Sequence, residues 1–184
     1  MPKCTTVGVQ IDAATAQVEL AETNITNIIT LVNDIRSKLK GDYLVSKPSL
    51  AIGTTTTAVS NVAFTFTING VQYSKAAVAA GVAPGNDVIP QSLYGAVALD
   101  IDASGTVTIA EAAANATGYA SAVLAIAGIP ALAADKVRMG TVTATKSDGD
   151  FTFGTTDLNA ANTAVAYTDG QTHFEAIGAA VTEV

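Results

Sequence analysis

The sequence predicts a mainly β protein with one long N-terminal α-helix. The expected organisation is a helix over residues 1–42, forming a coiled coil or packing against its own chain, and a β-hairpin-rich domain, sandwich or barrel-like, over 43–184. Three observations lead there. An unbroken apolar heptad runs from Ile11 to Leu39 without Gly or Pro. Beyond Gly41 the chain changes to Thr-, Val- and Phe-rich segments of period two, punctuated by turn residues. The composition is also bland, with 49% hydrophobic and 14% charged residues among 184, against about 25% charged in an average globular chain.

The helix is predicted first. Arg36, Lys38 and Lys40 precede Gly41, so cations and a glycine stop sit where a helix C-terminus favours them. At 1.5 Å per residue the segment would be about 43 Å long, which requires a partner. Ile11, Val18, Ile25, Val32 and Leu39 occupy a positions, and Ala14, Ala21, Ile28 and Ile35 occupy d positions. Isoleucine at both a and d disfavours two strands, and Ile29 and Leu31 at e and g widen the stripe, so a homotrimer is expected. The expected seam is Ile11, Val18, Ile25, Ile28, Val32, Ile35 and Leu39. The alternative is an amphipathic helix lying on the chain's own sheet, which gives the same spacing.

Three hairpins are expected in the body. Val62, Phe64, Phe66 and Ile68 alternate, then Asn69-Gly70 turns the chain into Val71 and Tyr73. Asn-Gly is the strongest short-range hairpin signal, because both turn positions take positive φ. A second hairpin spans Leu93–Glu111 about Ala103-Ser104-Gly105. A third runs from Val137 through the turn Ser147-Asp148-Gly149-Asp150 to Phe151 and Phe153. A short helix is placed near 119–127, stopped by Gly128 and Pro130.

Charge and chemistry narrow the function. The net charge is −7, and residues 48–184 carry four basic against eleven acidic groups, which excludes a nucleic-acid backbone as partner. Cys4 is the single cysteine and His173 the single histidine, so thiolate zinc sites and intrachain disulfides are excluded and nucleophilic catalysis has one candidate base. No phosphate-cradling glycine motif occurs. The expectation is a protein that is not an enzyme, with no cofactor, no small-molecule substrate and no membrane span. Asp100, Asp102, Ser104 and Glu111 match the spacing of a calcium loop, with Gly105 at its sixth position. Their flanks have strand rather than helix periodicity, so a hairpin turn is the expected reading and calcium the weaker one. Arg36, Lys38, Lys40 and Lys47 form the basic cluster of the chain, read as helix capping or as a candidate docking patch for an acidic surface.

The stretches YSKAAVAAGVAPGNDVIPQSLYGAVALDID (Tyr73 to Asp102), SGTVTIAEAAANATGYASAVLAIAGIPALAADKVRMGTVT (Ser104 to Thr143), DGDFTFGTTDL (Asp148 to Leu158) and YTDG (Tyr167 to Gly170) resemble a family of phage virion structural proteins encoded close to the major capsid protein. The resemblance covers a little over half the chain and carries no catalytic signature. It implies a capsid decoration, cement or head-fibre protein that is made in the host cytoplasm, lies on the phage head surface and has the major capsid protein as partner. The helix lies outside it. The alternative is a trimeric fibre or adhesin segment that binds a host-surface ligand.

Overall fold

A computed structural model describes residues 5–39 and 41–173, with helix side chains described from 15 to 32. The chain divides into two units, Met1–Lys40 and Gly41–Val184. The first holds α1 (Thr5–Leu39), which begins six residues before the first heptad position. Thr23, Thr26 and Thr30 each donate their hydroxyl to the carbonyl four residues earlier, at 2.9 Å. These polar groups are thereby satisfied inside the helix.

The second unit is mainly β, with twelve strands among the described residues. Its largest sheet is built from β8 (Tyr94–Asp102), β9 (Val107–Glu111), β10 (Lys136–Lys146) and β12 (Thr163–Asp169), in the order β12-β10-β8-β9 and antiparallel throughout. β1 (Tyr43–Leu44), β4 (Phe64–Ile68) and β5 (Val71–Lys75) form a second sheet. β2 (Ala51–Ile52), β3 (Val59–Asn61) and β6 (Val78–Val82) form a third, and β7 (Val88–Ile89) pairs with β11 (Phe151–Thr152). All four sheets are open, so the barrel-like expectation is corrected: no sheet closes on itself among the described residues.

The first two predicted hairpins are present. Asn69 and Gly70 take φ of 53° and 77°, the left-handed pair that a primed turn requires, between β4 and β5. β8 and β9 pair across the second turn. The third hairpin does not form, because its two segments take other partners. Phe151 pairs with Ile89 of β7, while β10 takes β12 and β8 as its neighbours. The chain bends over 147–149, and β11 then pairs in a different sheet from β10. The short helix α2 is Ala122–Ala127, within the predicted range, with Ser121 as its N-cap and Gly128 at its end.

One core joins the four sheets. Phe64, Phe66 and Ile68 point inward from β4, and Val97, Leu99 and Ile101 from β8. Phe66 lies 5.7 Å from the rings of both Phe64 and Tyr73, and Phe151 meets Phe153 edge-on at 5.1 Å. β10 carries a bulge between Arg138 and Gly140 that shifts its inward phase. Val137 and Met139 face the core before it, and Val142 and Ala144 after it. Arg138 therefore sits opposite Asp100 on the other face of the sheet. Truncating the fully buried Phe66 to alanine should lower unfolding free energy by about 3–5 kcal/mol in urea titration, because the neighbouring rings cannot close the cavity.

Candidate interaction surfaces

β8 is buried along almost its whole length, so both of its faces are covered. Ala96, Ala98 and Asp100 form the face turned away from the main core. Ala96 packs with Ala112 and with Ala125 of α2, against Tyr94, Tyr119 and Ile129. Small side chains let the segment between β9 and β10 lie close on the sheet. Asn115, fully buried, fixes it: its side-chain oxygen accepts from Ala96 N and its amide donates to Ala96 O, both at 3.0 Å. At the far end Arg138 donates to both Asp100 oxygens, at 2.9 and 3.1 Å, and to Pro130 O at 3.0 Å.

Held in this way, the segment from Ala112 to Ala134 has no charged residue over 23 positions. Its outer side exposes Val123, Leu124, Ile126 and Leu132, with Val123 75% exposed. These exposed apolar side chains on an uncharged segment make it a candidate interaction face. Sequence reasoning saw only the short helix and the Gly128 and Pro130 breaks here; the missing charges were the signal for the surface.

α1 offers the second surface. Every described side chain from 15 to 32 is exposed. Val18, Ile25, Ile28 and Val32 of the expected seam are 46–60% exposed, as are Ile29 and Leu31 beside them. The side chains of Ile11, Ile35 and Leu39, and those of Arg36 and Lys38, lie outside the described residues, as does Lys40. Lys47 is described and exposed.

No family model, no curated protein and no solved structure matches this chain. The functional reading therefore rests on the residues.

The four candidate calcium ligands do not converge. Asp100 is engaged by Arg138, and Glu111 accepts from Asn86 N at 3.0 Å. Glu111 pairs opposite Val97, at the end of β9 remote from the turn. Asp102 accepts from Ser104 N, Ser104 Oγ and Thr106 N at 2.6–3.0 Å, an Asx turn that closes the hairpin. Among the described residues, no group of three His, Cys, Asp or Glu gathers, and no helix is long and apolar enough to cross a membrane. His173 stacks on Tyr43 with ring centroids 4.1 Å apart, while Cys4 lies outside the described residues.

The Ser104 hydroxyl and the Thr106 amide hold the Asp102 carboxyl below its ordinary value of 3.8. Asp148 is held down by the Lys146 ammonium and then by the Asn162 amide. A depressed carboxylate contributes stability above its unfolded pKa and loses it as pH falls through the folded value. Both turns should hold at neutral pH and loosen in acid below about 3.8. A circular-dichroism titration of Asp102→Asn with Asp148→Asn should show a shallower acid transition than the parent. Asn115→Ala, which strands the buried Ala96 amide, should cost about 1–3 kcal/mol and admit protease into the 112–134 segment.

Proposed function

We propose that this chain is a non-catalytic structural component of a phage particle, a capsid decoration or cement protein that acts as a homotrimer on the assembled head. The observation that carries the reading is the exposed heptad stripe of α1, with isoleucine at both a and d in Ile25 and Ile28. Two further copies of the same helix are the occupants that match its register. The capsid is proposed as the second partner from the resemblance read in the sequence of residues 73–170 alone, since no known protein matches the chain. The exposed apolar side chains of the uncharged segment 112–134 support docking by apolar contact, since the acidic remainder of the body would be costly to bury unpaired.

Trimerisation gives a bland surface its strength. Three tethered copies can gain about 10² to 10⁴ in avidity when the lattice lets all three engage. Threefold lattice points suit such an assembly.

Purified heads stripped of this protein provide the test. They should lose their genome at lower temperature, and adding back the intact chain should restore them. Ile25→Asn with Ile28→Asn, which places unpaired amides in the seam, should run as a monomer in light scattering and fail to restore them. Stripped heads that are equally heat-resistant but fail to adsorb to cells would instead establish the adhesin reading.

A further inference from the structure

We propose that the body binds a single neutral sugar ring in the cleft bordered by β1, the start of β10 and residues 170–173. This goes beyond the decoration reading and does not rest on it, because the cleft belongs to one copy of the body. Its volume is about 350 Å³, within the range of small-ligand sites and large enough for a pyranose.

The lining combines an apolar wall with a few fixed polar groups. Leu44 and Val137 are buried beneath it, and Leu132, 39% exposed, stands at its rim. Tyr43 and His173, stacked with 22° between their planes, form an aromatic side. The C–H face of a sugar is apolar enough to lie against such a wall, while its hydroxyls need both donors and acceptors.

Both are present, and each is oriented by a bond made elsewhere. Asp42 accepts the Asn69 N–H on Oδ1 at 2.8 Å, which leaves its other oxygen as an acceptor. Arg138 spends Nε and Nη2 on Asp100 and Pro130, so Nη1 donates to no group among the described residues. The exposed Gln171 amide, able to donate and accept, likewise has no partner there.

Charge selects the ligand class. Asp100 neutralises Arg138 from behind, and Asp42 adds a negative charge at the mouth. An anionic group would meet the Asp42 carboxylate, while Asp100 already cancels the charge of Arg138. A neutral polyhydroxyl ring meets no such repulsion and uses all three polar groups.

The test uses the intact chain and saturation-transfer NMR with the methyl pyranosides of glucose, galactose, mannose and N-acetylglucosamine, and with N-acetylneuraminic acid as the anionic comparison. At least one neutral pyranoside should receive saturation on its ring protons, with a Kd of about 1 mM. Gln171→Ala and Leu132→Asp change exposed side chains and should each weaken that binding about tenfold with the melting temperature unchanged. Saturation of no neutral pyranoside would overturn the proposal. So would saturation that both variants leave intact, or saturation of the anionic sugar alone.

Discussion

The body depends on one constraint: a central strand covered on both faces. β8 sends Val97, Leu99 and Ile101 into the phenylalanine-rich core and Ala96, Ala98 and Asp100 to the other side. Alanine there lets a backbone segment lie close on the sheet, and Asn115 then accepts from the Ala96 N–H that this approach would otherwise strand. Asp100 requires a counter-charge, since a lone carboxylate buried to this depth would cost several kcal/mol. The bulge in β10 supplies it by bringing Arg138 to the same face. The guanidinium, already fixed by Asp100, also anchors Pro130 and lines the cleft beside Tyr43. A single ion pair thereby links strand phase, segment placement and site.

The two apolar surfaces have different origins. The one around α2 follows from that packing: its inner side is spent on Ala96, so its outer side is left to solvent. The one on α1 follows from the heptad alone. Burying a large aliphatic side chain completely is worth about 1.5–3 kcal/mol, and these begin about half exposed. Association costs about 4–15 kcal/mol in lost freedom. One or two isoleucines could not hold copies together, whereas a stripe several heptads long, repeated on three helices, is of the right order.

Local signals were the legible part of the sequence. Asn69-Gly70 announced its hairpin because two positive φ values admit few residue types, and the α1 heptad announced itself because its period is sustained. Long-range pairing was not legible. Phe151 and Phe153 read as the return strand of β10, but partner choice depends on core shape, and β12, whose Val165 and Tyr167 are only partly buried, took that place. Asp100 was legible only as a residue of the hairpin, with calcium the weaker reading, because spacing along a chain carries no information about Arg138, 38 residues away. The cleft was invisible for the same reason: Tyr43, Leu132, Arg138 and Gln171 come from distant stretches that only the fold assembles.

The central claim is that the exposed α1 stripe is covered by two further copies of the chain. Sedimentation equilibrium of the intact protein across a micromolar concentration series tests it most directly, because it reads mass independently of shape. The account predicts a species of three times the 18.5 kDa chain mass, in reversible exchange with the monomer at the dilute end. A mass that stays at one chain throughout the series would contradict it.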